Sequence, residues 1–575
     1  MSEAASHIVA AGEAGFSATV TAGEVLHVWH RASDPNRLSE IALHEADGTQ
    51  IKLTGPASDD FQMTTYVFRA SGETSVAWDE PEAVVSVAYV YDPVRVMKEG
   101  IRILWARPET AANTKRFRLH LAPPFGWMND PNGLISLSGQ THCFYQHYPH
   151  QRRWDTMHWG HAVSRNLVDW THLPVFLYPR AHMLADSAKK GGAFSGSAIP
   201  CADGGLRIFH TDREDGRQPE QEWQMTAVSS DCIKASVSVP VLQQRPPLPG
   251  FGDDLRDPYV FKGPDGLWKM VLGGADETAA LVVLYETDEP DAAAGWRYVG
   301  VLHREILPKA VPAECPCVVP LTGEGEGLYV LVFGLIGHQV PVQDRLNPSF
   351  ALVGTFDGRN FKEQSRRELD FVGDCYAFQG FVHDTGPMGM AWAANWAEVR
   401  KSPDFPSAMT FPRRLVWQSG SLLMPPVESV ADLRYRKLAA SAEELVRGVT
   451  LPDGLAEISL EASGPLKLML SHNDGPIMLK CDGKQIELSG RKSKPRPGEF
   501  MHQMESGPVT RLKLVIDVGL IEIYADNGRL CGTKRLESDD PVTAIRLETD
   551  EQTVGAVEVW QLRPRKGASP IFNRS

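Results

Sequence analysis

The run Trp127-Met128-Asn129-Asp130-Pro131-Asn132-Gly133 carries more information than any other stretch of this chain. Pro131 fixes its own φ and lacks an N–H, and it pushes Asp130 toward extended backbone. Asn132-Gly133 predicts a sharp turn directly afterwards. The Asp130 carboxylate is thus expected on a stiff turn beside two aromatic residues, Phe125 and Trp127. A carboxylate held in this way suits a nucleophile that must face one atom of a substrate. In isolation the same four residues, Asp-Pro-Asn-Gly, read first as a hairpin tip with a solvated acid.

Two further acidic motifs downstream give the first its meaning. Arg256-Asp257-Pro258 follows the turn Gly250-Phe251-Gly252-Asp253-Asp254, and Glu314-Cys315-Pro316 follows Pro312-Ala313. All three acids stand within two residues of a proline. In this order and spacing the motifs resemble glycoside hydrolase family 32, whose members cleave β-fructofuranosides such as sucrose, inulin and levan. The resemblance extends to Phe144-Tyr145-Gln146, His158-Trp159-Gly160-His161-Ala162 and Phe194-Ser195-Gly196-Ser197. It continues through Asp374-Cys375-Tyr376-Ala377-Phe378-Gln379, Trp392-Ala393-Ala394-Asn395-Trp396, Ile516-Asp517 and Asn527-Gly528. It leaves out roughly the first hundred residues, a length that suits a separate domain.

The resemblance implies an all-β chain, with a five-bladed β-propeller followed by a C-terminal β-sandwich. It also implies roles. Asp130 is the nucleophile, Glu314 the acid and then the base, and Asp257 a third acid that binds fructosyl hydroxyls. Asn129, Gln146, Trp154, Phe194, Ser195 and Arg256 are expected to line the fructosyl pocket, with Asn395 and Trp396 approaching it. Sugars offer apolar ring faces and many hydroxyls, so aromatic residues with amide and hydroxyl partners suit them. The surroundings of the two acids point the same way. Glu314 lies among Val311, Pro312, Cys315, Pro316 and Val318, and apolar neighbours raise a carboxyl pKa. Asp130 has Asn129 and Asn132 as prospective donors, which favour the charged form.

The internal organisation agrees with a propeller. Ser164 to Trp170, Ser229 to Ala235, Thr287 to Trp296 and Phe356 to Phe361 are similar polar turns recurring roughly every 64 residues, a period suited to one four-stranded blade. The expected domains are 1–105, a β-sandwich-like unit; 116–435, the propeller; and 436–575, the C-terminal sandwich. In the first, Phe16, Ala18 and Val20 alternate with polar residues, and Val25 to Trp29 and Val84 to Tyr91 also read as strands. Arg102 to Thr114 reads as a connector, Leu415 to Arg436 as the exit from the propeller, and Arg491 to Arg496 as a solvated basic loop.

Bulk properties narrow the partners. The chain has 575 residues, 42% hydrophobic and 23% charged, with a formal net charge of −14. That balance disfavours a nucleic-acid partner and fits a neutral sugar, as a small molecule or oligosaccharide. No apolar run is long enough for a membrane span. The start, Met1 to Ser6, does not read as a signal peptide. Together with eight scattered cysteines, this points to a cytoplasmic protein. No metal or cofactor is expected. His158 and His161 are three residues apart, but no third ligand or helical pattern accompanies them. A homo-oligomer through a β-sandwich domain is one role open to the terminal units.

Departures from the family pattern fall at His147-Tyr148-Pro149, Asp155, Ala313, Cys375 and Ala393-Ala394. They are expected around the pocket and bear on the leaving group rather than on the reaction. The leading expectation is a retaining, exo-acting β-fructofuranosidase. The alternatives are a fructosyltransferase, which makes oligofructosides or difructose anhydride through the same intermediate, and a fructan-binding protein without catalysis.

Overall fold

Five sheets alternate around one axis between Trp127 and Arg414, and their innermost strands are Trp127–Leu137, Gly191–Pro200, Leu255–Lys262, Ala313–Pro320 and Tyr376–His383. Each of these strands packs against the next, and the last packs against the first, which closes a five-bladed propeller. Blades 1 to 4 are four-stranded antiparallel sheets, whereas blade 5 has three strands. The computed structural model describes residues 13–567 apart from 187, 292–294, 341–344, 400–403, 493–496 and 550. Met1 to Ser6 and the last four residues of the basic stretch Arg491 to Arg496 lie outside the described residues.

The repeating turns read from the sequence are the hairpins that lead into the outermost strand of blades 1 to 4, which begin at Thr171, Val239, Arg297 and Phe361. A polar side chain closes each one. Asn166 Oδ1 accepts from the N–H groups of Val168 and Asp169, and Asp231 Oδ1 from those of Ile233 and Lys234. Thr287 Oγ1 accepts from Glu289 N–H, and Asp357 Oδ1 from Arg359 and Asn360. Asp, Asn and Thr favour turns because their side chains replace a missing backbone partner in this way.

The propeller is flanked by a pair of sheets at each end of the chain. On the N-terminal side, two four-stranded sheets enclose a core that includes Leu26, Val28, Leu43, Val76, Trp78 and Val90. Arg102–Ala106 is not a connector but the last strand of this unit, paired with Ala83–Tyr91. Its Ile103 is buried against Trp29, Tyr89 and Phe125, and that burial ties the segment into the unit. On the C-terminal side, two six-stranded sheets pack over Ile458, Leu468, Leu514, Ile523 and Val559. Among the described residues no helix is long and apolar enough to cross a membrane.

A buried charged network joins propeller and C-terminal sandwich. His120 lies between Asp517 (2.8 Å) and Glu522 (3.0 Å), and Arg413 donates to Glu522 (2.9 Å) and to Thr533 (2.6 Å). Lys534 reaches Asp374 at 2.7 Å, and Thr533 donates to Asp370 at 2.7 Å. Burial opposes protonation of His120, but its hydrogen bonds to the two carboxylates outweigh burial and hold its pKa up at about 9. A folded-state pKa above the unfolded value adds stability that is complete below about pH 6.5 and fades as pH rises through about 9. His120→Gln is therefore expected to lower stability to urea by about 3–5 kcal/mol at pH 6, as for one lost member of a buried ion pair. The deficit should shrink toward pH 10. A deficit independent of pH would show that His120 is not charged in the folded protein.

Candidate active site

The innermost strand of every blade carries a β-bulge, and the residues singled out in the sequence cluster at these bulges. In blade 1, Asn129 and Asp130 together oppose Gln146. In blade 2, Phe194 and Ser195 oppose Thr211; in blade 3, Asp257 and Pro258 oppose Leu272. In blade 4, Cys315 and Pro316 oppose Phe333; in blade 5, Ala377 and Phe378 oppose Ala391. A bulge places two residues where the ladder has room for one, and so turns a side chain away from its regular face. Proline is tolerated there because a bulge residue need not donate to the ladder. This explains Pro258 and Pro316. Asp257 (φ 64°), Cys315 (φ 50°) and Ala377 (φ 54°) all adopt left-handed backbone, which costs a non-glycine residue about 1–3 kcal/mol.

Asn132-Gly133 does not turn the chain. Both lie inside the strand Trp127–Leu137, and Gly133 (φ 52°) belongs to a second bulge opposite Cys143. Strand pairing on both sides of the stretch overrides its turn propensity.

The three acids meet around Cys315. Its sulfur lies 3.6 Å from Asp130 Oδ2 and 3.6 Å from Asp257 Oδ2, and its N–H donates to Asp257 Oδ2 at 2.8 Å. Glu314, the preceding residue, accepts from the Tyr376 hydroxyl at 2.8 Å and lies 3.6 Å from Arg256 Nη1. Asp130 is wrapped by donors. Ser195 Oγ donates at 2.6 Å, Asn129 Nδ2 at 2.9 Å and Gln146 Nε2 at 3.2 Å. Gln146 also donates to Ser195 Oγ at 2.5 Å, and Trp127 Nε1 fixes Asn129 at 2.5 Å. Arg256 is held by Glu222 at 3.1 Å and by Asp254. Two buried polar atoms in this cluster, Gln146 Oε1 and Arg256 Nη1, have no hydrogen-bond partner.

Burial dominates the electrostatics. It raises the Glu314 pKa to about 7, although Arg256 and the Tyr376 hydroxyl pull it down. Asp257 is pushed well up, by burial first and then by the charge of Glu314. Asp130 was expected to favour its charged form, yet burial raises it as well, against the hydrogen bonds of Ser195 and Asn129. Asn129 is a donor as expected, but Ser195 and Gln146, rather than Asn132, complete the set. Three carboxyls this close cannot all ionise in a dry site, so the cluster holds a proton near neutral pH.

Trp154, Phe194 and Trp396 are half-buried and belong to one aromatic cluster with Trp127 and Tyr376, beside Cys315. Trp154 meets Phe194 edge-on at 6.1 Å, and Trp396 stacks on Trp127 at 6.0 Å. Asn395 is different. Its amide is spent on the protein, donating to the carbonyls of Leu346 and Gly373 and accepting from Asn347 Nδ2. It braces two loops and offers nothing to the cluster. His158 and His161 are buried among aromatic residues, the first against Trp29 and Tyr178 and the second against Phe144. Sequence reasoning gave Tyr376 and Gln379 no role. Gln379 ties three blades together, accepting from Leu134 N–H (2.8 Å) and donating to Gly196 O (2.9 Å). Tyr376 directly precedes the blade 5 bulge, as Glu314 precedes that of blade 4, and this register is the signal that marks it.

A ring of buried carboxyls at the inner strands of a propeller, with amide, hydroxyl and aromatic neighbours, has the parts that a glycoside hydrolase needs. Residues 120–426 match the family model described as the glycosyl hydrolases family 32 N-terminal domain. The chain is 32% identical over 453 residues to a raffinose invertase of Escherichia coli, covering 72% of this chain and 88% of that one. It is 28% identical over 455 residues to a sucrose-6-phosphate hydrolase of the same organism, covering 74% and 90%. Among solved structures, a family 32 protein of Bifidobacterium adolescentis superposes with a TM-score of 0.84 at 22% identity, covering 96% of this chain and 99% of that chain. A β-fructofuranosidase of Bombyx mori superposes with a TM-score of 0.67 at 25% identity, covering 80% and 96%. The chain belongs to glycosyl hydrolase family 32.

The Tyr376 hydroxyl stabilises the charged form of Glu314. In Tyr376→Phe, the Glu314 carboxyl, followed by ¹³C NMR, is expected to titrate at a higher pH than in the unaltered protein, where burial pushes its pKa up to about 7. An unchanged midpoint would show that the hydroxyl does not act on Glu314.

Proposed function

We propose that this enzyme releases fructose from β-fructofuranosides, sucrose and short fructans, by a retaining double displacement. The observation that carries the reading is the convergence of Asp130, Asp257 and Glu314 on Cys315. Retaining glycosidases place their two reacting carboxyls about 5–5.5 Å apart, across the bond that breaks. Invertase, levanase and β-fructofuranosidase among the relatives favour a fructosyl substrate.

In the first step an Asp130 oxygen attacks the fructosyl anomeric carbon. The bond to the leaving oxygen breaks, and Glu314 gives that oxygen its proton. In the second step Glu314 takes a proton from water, the hydroxide attacks the same carbon, and the bond to Asp130 breaks. The donors around Asp130 aim the carboxylate: Ser195 and Gln146 hold Oδ2 and Asn129 holds Oδ1. Asp257 accepts from fructosyl hydroxyls. Gln146 Oε1, which has no hydrogen-bond partner in the protein, and Arg256 Nη1, which lies 3.6 Å from Glu314, are matched to further hydroxyls of the ring. Trp154 and Phe194 cover its apolar face. The eight unpaired cysteines suit a cytoplasmic setting.

Glu314 must enter the first step protonated, so kcat/KM is expected to fall as pH rises above about 7. Glu314→Gln should lower kcat by about 10²–10⁴-fold and remove that alkaline limb. Asp130→Asn should abolish fructose release and leave the fold intact by circular dichroism. Assays on sucrose, phosphorylated sucrose, inulin and levan, with products resolved by size, define the substrate range. Undiminished turnover by Asp130→Asn would overturn the mechanism.

A further inference from the structure

The N-terminal unit touches the propeller where the segments bearing Trp154 and Phe194 begin. Its loop between the strands Gln50–Gly55 and Gln62–Val67 inserts between two parts of the propeller. On one side, Ser58 Oγ (2.6 Å) and the Asp60 N–H (3.0 Å) both donate to the Leu184 carbonyl, and Gln62 Nε2 donates to Ser58 Oγ at 2.8 Å. Leu184 lies in the short helix Ala181–Ala185, which leads into the strand Gly191–Pro200 and so to Phe194 and Ser195. On the other side, the Tyr148 hydroxyl donates to Asp60 Oδ1 at 3.0 Å, and the Phe61 ring packs on His150 with centroids 4.5 Å apart. Tyr148 and His150 stand at the start of the loop that carries Trp154.

The two braced segments are also linked to each other. Lys190 pairs with Asp155 at 2.5 Å, Met157 N–H donates to Gly191 O at 2.8 Å, and Ala193 N–H donates to Met157 O at 2.9 Å. Asp155 and Tyr148 are both positions where this chain departs from the family pattern. The loop 56–61 is thus a wedge in contact with both supports of the Trp154–Phe194 pair. Its key atom is Asp60 Oδ1, which accepts from the Phe61 N–H (2.8 Å) and from Tyr148 at once.

We propose that the N-terminal unit is a positioning element of the active site, in which Asp60 holds the Trp154–Phe194 lips at the spacing that grips the sugar. The inference rests on the reading above that these two aromatic residues contact the fructoside. The wedge does not touch Asp130, Asp257 or Glu314, so it governs how well substrate is held rather than how fast the bond breaks.

The test is steady-state kinetics on sucrose with the full chain. Asp60→Ala removes the acceptor and Tyr148→Phe removes the donor of one hydrogen bond. Each is expected to raise KM about five-fold, with kcat within about two-fold of the unaltered enzyme. The double variant should be no worse than either single one. Asp60→Asn, whose amide oxygen can accept the same two hydrogen bonds, should restore most of the affinity. KM unchanged in both single variants, or a KM loss in Asp60→Asn as large as in Asp60→Ala, would overturn the proposal while leaving the fructosidase reading in place. An unaltered enzyme that releases no fructose from any β-fructoside would overturn both.

Discussion

The constraint on which the rest of this structure depends is the bulge repeated in the innermost strand of all five blades. A regular strand would send alternate side chains into the blade above and the blade below. The extra residue at each bulge breaks that alternation at one level of the propeller, so all five strands present a side chain or a hydrogen-bonding group there. Blades 1 and 3 use the position for acids and blade 2 for Phe194 and Ser195, while blades 4 and 5 carry Glu314 and Tyr376 on the residue before. The left-handed backbone of Asp257, Cys315 and Ala377 is strain that the pairing on either end of each bulge must hold.

Bringing three carboxyls together in a buried ring is unfavourable in itself, and their raised pKa values express that cost. The structure offsets it by surrounding the ring with fixed donors and by bracing the ring from outside. Arg256 is pinned by Glu222 and Asp254 before it meets Glu314. The strand of Tyr376 follows Asp370 and Asp374, which Arg413, Thr533 and Lys534 hold from behind. On the opposite flank, Trp29, Phe61 and Tyr89 of the N-terminal unit share one core with Phe125, next to Trp127. Gly334 shows how little slack remains: a Cβ there would come within 2.8 Å of the Tyr376 ring.

Much of this was legible in the sequence. The three acid–proline motifs pointed to the acids, and the recurring Asn, Asp and Thr turns marked the blade hairpins, because both depend on local chemistry. What depends on pairing across strands was not legible. Asn132-Gly133 reads as a turn until the strands on either side are known. Arg102–Ala106 reads as part of a connector until its pairing with Ala83–Tyr91 is known. The direction of the Asp130 pKa also escaped, since neighbours in sequence reveal donors but not the complete burial that outweighs them. Asn395 resembles a sugar contact by its setting, whereas its amide is consumed by the carbonyls of Leu346 and Gly373.

The tie between Lys534 and Asp374 has a wider consequence. Asp374 stands two residues from the phenol that donates to Glu314. The C-terminal sandwich is therefore anchored two residues along the chain from a group that hydrogen-bonds Glu314. Loosening this buried anchorage, by a nick or a chemical lesion in the sandwich, is expected to shift the Tyr376 hydroxyl and with it the setting of the Glu314 carboxyl. The proton affinity of that carboxyl is thereby open to change from a sheet pair outside the propeller.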